Sequence, residues 1–229
     1  MRWAVGLTTV PGRAATTLPR TLRSLAWAGF PSPHLFIDKC REEDWRGPGN
    51  RRTFHEDWIG IFGNWWLGAW ELFIRNPKSD RYVMCQDDVV FCRNVCRYLE
   101  MSPYPESGYQ NLILYPDNAI YANEGEWSRV GGRRGLGAQC LVFSHDAFFK
   151  LLTSEYLGSK PTWQNRHDGI DGAISDAMLH AGWFECVHSP SLVCHIPGES
   201  AAKNRMQPET ANFPGVEFDA MSLLNREKI

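Results

Sequence analysis

The run RYVMCQDDVV, residues 81–90, is an apolar stretch that stops on two adjacent acids. Arg81 to Cys85 have the aromatic and β-branched character of a buried strand, which leaves Gln86, Asp87 and Asp88 at its carboxyl end. Neighbouring carboxylates repel one another, and more strongly where water is scarce, so such a pair calls for a cation. Mg2+ or Mn2+ suits it, because these ions take one or two carboxylate oxygens and fill their other positions with water and substrate phosphates. Successive side chains on an extended strand face opposite ways, so one acid of the two meets the ion, and we assign Asp88. Two acids in a turn are also ordinary turn chemistry, so the pair gains meaning only from its surroundings.

Working outward, the chain alternates between strand-like and helix-like stretches, the pattern of an α/β protein with a Rossmann-like sheet. A strand over Trp3–Thr8 leads through the loop TTVPGR into a helix over about Thr17 to Ala28, and then into the short strand HLFID, which ends at Asp38. A Trp-rich helix over about Phe62 to Arg75 is closed by Asn76-Pro77 and precedes the 81–90 run. Beyond it lie a strand NLILYP, a Gly-rich loop VGGRRGLG, a strand QCLVFS and a helix with Ser144 as its N-cap. A last helix covers about Asp171 to Ala181, followed by two strand-like pieces ending at CHIPGES, and from Ala201 the chain reads as a loop or wrapped extension. Open α/β sheets bind ligands beyond the carboxyl ends of their strands, so Thr8, Thr9, Asp38 and Asp88 are expected to converge on a nucleotide cleft.

With 229 residues, 43% of them hydrophobic, the chain is expected to form one domain: a donor half over about 1–98, an acceptor and catalytic half over about 99–200, and an extension over 201–229. A formal charge of -2 argues against binding polyanions through bulk charge, although Arg51-Arg52 and the Arg129 to Arg134 loop offer local phosphate contacts. No apolar run reaches the roughly 18 residues of a membrane span, and MRWAVGLTTVPGR is interrupted too early for a secretory leader, so a soluble, untargeted chain is expected. Seven cysteines, an odd number with spacings such as Cys92/Cys96 that match no zinc pattern, point to reduced thiols in the cytoplasm.

Taken in order, these segments resemble the GT-A glycosyltransferases. VGLTTVPGR, LPRTLRSLAWAGF and LFID look like the opening nucleotide-binding unit of that fold, and IGIFGNWWLGAWEL looks like the helix beside the donor, with Asn64 near its start. YVMCQDDVVF stands where the family carries its DxD metal motif; Gln86 replaces the first acid, which puts the weight on Asp88. GLGAQCLVFS resembles the loop and strand near the acceptor, DGIDGAISDAMLHAGW the acidic motif at the start of a helix, and HIPGES the late histidine that completes the metal site.

The resemblance implies a nucleotide-sugar donor, a UDP-sugar first, touched by Thr8, Thr9, Arg13, Asp38, Asn64, Gln86 and Asp87, with Mn2+ or Mg2+ held by Asp88 and His195. It makes Asp171 the first candidate for catalytic base in an inverting transfer, with Asp168 second and His167 placed for substrate contact. An acid at a helix start also serves as a cap, and a lone histidine is commonly structural. Arg133 and Arg134 flank glycines in a loop suited to ordering over bound donor. The acceptor is open among a bacterial glycan, a protein side chain and a hydroxymethylated base in viral DNA. A nucleotidyltransferase would want a Gly-rich pyrophosphate loop straight after the first strand, where TTVPGR offers one Gly. A non-catalytic sugar- or nucleotide-binding module would lack the metal carboxylate, the helix-start acid or the late histidine, and all three are present here.

Overall fold

The computed structural model describes residues 1–130, 137–158, 170–196 and 210–225. Its first half comprises β1 (Trp3–Thr9), α1 (Thr17–Trp27), β2 (His34–Asp38), β3 (Arg52–His55), α2 (Gly60–Arg75), β4 (Arg81–Gln86), β5 (Val89–Phe91) and α3 (Val95–Met101). There follow β6 (Gly108–Asn111), α4 (Pro116–Ala119), β7 (Trp127–Arg129), β8 (Cys140–Ser144), α5 (His145–Leu152), α6 (Glu155–Gly158), α7 (Ile170–His180), β9 (Phe184–His188) and β10 (Val193–His195).

Eight strands form one sheet in the order β3-β2-β1-β4-β8-β6-β9-β7. β3, β2, β1 and β4 are parallel, while β8 runs antiparallel between β4 and β6. The chain thus builds outward from β1 to β3 and then returns to lay β4 on the other side of β1. The crevice at the carboxyl ends of β1 and β4 is the switch point, where such sheets bind ligands. β5 and β10 form a separate antiparallel pair beside it.

Alternation along the strands feeds two cores. Val5, Leu7, Val83 and Cys85 pack with Leu18 and Leu25 of α1, whereas Ala4, Tyr82 and Met84 pack with Trp65, Ala69 and Leu72 of α2 and with α5 and α7. α2 approaches the sheet closely because small residues face it: a Cβ on Gly68 would lie 2.7 Å from the ring of Phe36. Gly60 opens this helix at φ +77, a backbone that other residues rarely adopt, and its N–H reaches Asp38.

The strands at Trp3, HLFID, RYVMC and QCLVFS stand where their patterns put them, and Ser144 accepts from the Ala147 N–H at 3.1 Å as the cap of α5. The run NLILYP is a correction. The strand is the preceding GYQN, because beyond Asn111 the backbone bonds outside the sheet ladder: Leu112 N–H donates to Cys140 O, and its carbonyl accepts from both Leu192 and Val193. The short β3, β5 and β7 and the helix α3 were not expected. Residues 210–225 wrap back over α3 through Arg93 N–H to Phe218 O and Ala220 N–H to Arg93 O, with Ala220 and Leu223 buried. No helix among the described residues is long and apolar enough to cross a membrane, and all seven cysteines are free.

Because Phe36 is fully buried, Gly68→Ala is expected to lose about 1–3 kcal/mol to overpacking, outweighing the roughly 1 kcal/mol that alanine gains in a helix. Thermal denaturation checks this; an unchanged or raised melting temperature would show that α2 does not sit so close.

Candidate active site

β4 delivers Asp87 and Asp88 into a turn at the switch point, both buried, with Thr8 of β1 in register beside Gln86. The two acids do face different ways. Thr9 Oγ1 donates to Asp87 Oδ2 at 2.5 Å. Burial, and then the adjacent Asp88 carboxylate, push Asp87 up to about 7, against the pull of Thr9 and Arg13. Asp88 Oδ2 lies 3.5 Å from Arg13 Nη2 and 3.3 Å from His195 Nε2. Its Oδ1 is buried without a hydrogen-bond partner.

The turn after β1, the helix α1 and the strand β10, all distant in sequence, hold this arrangement. Arg13 sits on the tight turn Pro11–Arg13 after β1 and also donates to Thr17 Oγ1 at 3.2 Å. Thr21 of α1 places its Oγ1 2.9 and 2.7 Å from the carbonyl oxygens of Asp87 and Val89 and accepts from the Val89 N–H, fixing the turn's backbone. The β5–β10 pair sets His195 opposite Val89, and Ile196 N–H donates to Asp88 O at 2.7 Å. His195 N–H in turn reaches Thr210 Oγ1 at 3.1 Å, so the carboxy-terminal segment steadies the imidazole's backbone.

A carboxylate and an imidazole sharing one edge, with a carboxylate oxygen left over, fit a divalent ion of the Mn2+ or Mg2+ kind. Among the described residues no group of three His, Cys, Asp or Glu side chains could hold a metal alone. An ion held by Asp88 and His195 would have further positions open to ligands such as phosphate oxygens and water.

Asp171 opens α7, where its Oδ1 accepts from the Ala138 N–H at 2.7 Å and burial raises its carboxyl above the ordinary range. Tyr115 is buried, which raises its hydroxyl first, and the carboxylates of Asp171 and Asp88 both raise it further. Tyr115 donates to Gln139 Oε1 at 2.8 Å, and together they fill the space beside Gly137. Asp168, His167, Arg133 and Arg134 lie outside the described residues.

Two positions expected at the donor are engaged in the fold. Both carboxylate oxygens of Asp38 accept backbone N–H groups at 3.0 Å, from Ile59 and Gly60, so this acid caps α2. Asn64 donates to Phe36 O at 3.0 Å, although its own Oδ1 is buried and unpartnered. Thr8 Oγ1 reaches Cys85 O at 3.5 Å, and Gln86 N–H bonds Gln139 O at 2.8 Å.

Sequence reasoning missed Glu185, Tyr115 and Thr21. Glu185 is buried on β9, accepting from Asn111 Nδ2 at 2.9 Å and from Tyr109 OH at 3.2 Å. Burial drives it up to about 7, with Asp171 adding to the rise. The only sign of it was a single acid inside the strand-like WFECVH. Asn111 Nδ2 also bonds Gly137 O at 3.1 Å, so Asn111 and Asp171 grip the 137–138 backbone from two sides.

The switched, mixed α/β sheet gives the chain a fold of the GT-A type. It is similar to GalNAc-T7, solved with UDP, GalNAc and Mn2+, with a TM-score of 0.57 and 13% identity over 88% of this chain and 46% of that one. The chain thus spans less than half the length of that neighbour. A nucleotidyl transferase from Methanothermobacter aligns at a TM-score of 0.46 and 15% identity, over 82% of this chain and 88% of that chain. No protein-family model and no curated protein sequence matches the chain.

Glu185 makes stability pH-dependent in a definite direction. An acid whose folded value is raised from 4.5 to about 7 favours the folded state below the lower value, and that contribution is lost as pH rises through the upper one. Urea denaturation at pH 5 and pH 8 is expected to show wild type losing on the order of 1–3 kcal/mol more than Glu185→Gln over this interval. Equal losses in the two proteins would mean that Glu185 ionises without cost.

Proposed function

We propose that the chain is a metal-dependent glycosyltransferase that moves a sugar from a nucleotide-sugar donor to a hydroxyl acceptor. The observation that carries this reading is Asp88 at the switch point of a GT-A type sheet, with one carboxylate oxygen against His195 and Arg13 and the other unpartnered. UDP and Mn2+ in the GalNAc-T7 structure make a UDP-sugar with Mn2+ the first donor and ion to try. The acceptor is a glycan, a protein side chain or a hydroxymethylated DNA base. Seven free thiols favour a reducing compartment such as the cytoplasm.

Asp88 and His195 would hold the ion, which when bound supplies positive charge against the departing diphosphate. Arg13, beside Asp88, adds a fixed guanidinium at the same edge. Thr9 and Thr21 keep the acid turn rigid, so little reorganisation is needed when the donor arrives. Asp171 takes the proton of the acceptor hydroxyl as that oxygen attacks the anomeric carbon from the face opposite the leaving group, giving inversion; Asp168 is the second candidate for this role. Burial raises the basicity of Asp171 and so suits it to the task. Gln86 and Asp87 shape the donor side, with Thr8 behind them.

The direct test is hydrolysis of UDP-, GDP- and TDP-sugars with Mn2+, which reveals the donor before the acceptor is known. Asp88→Ala is expected to abolish metal-dependent binding of the nucleoside diphosphate while folding normally; calorimetry with and without Mn2+ reads this. Unchanged metal-dependent affinity would remove Asp88 from the site.

Asp171→Asn separates the base from the clamp, because the amide oxygen still accepts from the Ala138 N–H while the basic carboxylate is gone. Donor affinity and melting temperature are expected to hold, and transfer to fall about 10²–10⁴-fold, the scale of lost general-base catalysis. Transfer at near wild-type rates in both this variant and Asp168→Asn would sink the inverting mechanism.

A further inference from the structure

A concavity of about 570 Å³, lined by His34, Asn50, Arg51, Arg52 and Arg75, lies away from the acid turn. His34 opens β2, Arg52 opens β3 and Arg75 closes α2, so three elements bring their ends together there. This is the amino-terminal edge of the parallel strands. Asp38 lies at the opposite end of β2 and caps the opposite end of α2, whose 16 residues span roughly 24 Å. The Arg51-Arg52 pair therefore stands apart from the switch-point crevice.

We propose that this concavity is a second ligand site, one that takes a compact phosphate anion such as a pyrophosphate or a phosphomonoester. The lining presents three guanidinium groups, each able to give paired N–H donors to phosphate oxygens. Arg75 is engaged by Glu71 through Nε at 2.6 Å, and Arg52 lies at 4.0 Å from Glu42. Arg51 makes no ion pair among the described residues. Its guanidinium and that of Arg75 are close enough to His34 to lower the imidazole's pKa, alongside burial, which is the larger cause, and against the opposite effect of Glu71. The imidazole itself is fixed, with Nε2 2.8 Å from Thr53 Oγ1 and its ring stacked on Phe36. The site thus has a rigid floor, converging cations from two elements and a surplus of positive charge at Arg51. The guanidinium groups are gathered at one concavity, and Glu42 and Glu71 beside Arg52 and Arg75 interrupt the run of positive charge that an extended nucleic-acid backbone would follow.

The test is calorimetric titration of the full chain with sodium pyrophosphate in the presence of EDTA, which keeps divalent ions out of the crevice. Wild type and Arg13→Gln, which removes the guanidinium at the crevice, are expected to bind equally, while Arg51→Gln weakens binding about tenfold, as for one lost charge-assisted contact, and Arg51→Gln with Arg52→Gln weakens it further. Arg51 is exposed, and matching melting temperatures would show that these variants fold. The proposal is overturned if wild type does not bind pyrophosphate, if both Arg51 variants bind it as wild type does, or if Arg13→Gln loses it, which would place the anion in the crevice instead. A short oligodeoxynucleotide is expected not to displace pyrophosphate; efficient displacement would overturn the compact-anion assignment in favour of nucleic acid. None of these outcomes depends on glycosyl transfer.

Discussion

Asp87 and Asp88 are consecutive and both buried, and much of the surrounding structure is an answer to their mutual repulsion. The turn divides them, giving Asp87 a hydroxyl donor in Thr9 and Asp88 a guanidinium and an imidazole. Neither Thr9 nor Arg13 is near in sequence; both arrive because β1 lies parallel to β4 and the chain then turns through Arg13. The reversal of strand order between β1 and β4 is therefore more than a topological label. It opens a crevice where the end of an earlier strand supplies donors to a later strand's acids.

His195 reaches the same carboxylate from the far side through packing. β10 pairs with β5, which is the direct continuation of the acid turn, so the register of this short ladder decides how far His195 stands from Asp88. Thr210 and the 210–225 segment brace that ladder from behind, with Cys92 Sγ donating to Gly215 O and Asn94 Nδ2 to Asp219 Oδ1. A segment with little periodicity of its own is thereby tied to the geometry of the site. Loss of its buried Ala220 and Leu223 would act on His195 indirectly, through α3 and β5.

The longer elements were legible because they bury a face or a whole strand, and burial leaves a period: α1, α2, α7 and the strands at Trp3, His34, Arg81 and Cys140 all stand where the apolar spacing put them. β3, β5 and β7 have three or four residues each, too few for a period to show. NLILYP failed for a different reason: it is apolar because it is buried, but its backbone bonds run to the 140 and 192–193 segments and not along a ladder. Among the candidate site residues, Asp88 and His195 are singled out by their place after strand-like runs, and the structure brings them within 3.3 Å. Asp38 has the same signature, yet its partners are the N–H groups of Ile59 and Gly60, and nothing local in HLFID announces a helix that begins 22 residues later. Glu185 is invisible for the same reason, since Tyr109 and Asn111 are 76 and 74 residues away.

The charges of the site also constrain the order of events under the glycosyltransferase reading. Asp87, Asp88, Asp171 and Glu185 bring four carboxyl groups to one region, three of them held above their ordinary range by burial. Among the described residues, Arg13 and His195 are the basic side chains that approach Asp88. A nucleoside diphosphate entering such a crevice alone would add negative charge to a region that already resists its own, and the low dielectric of a buried turn would magnify the repulsion. A divalent ion held by Asp88 and His195 would change that balance by supplying positive charge against both Asp88 and the phosphates. Donor binding would therefore be coupled to the ion by electrostatics, with the unpartnered Oδ1 of Asp88 as the atom through which that coupling would act.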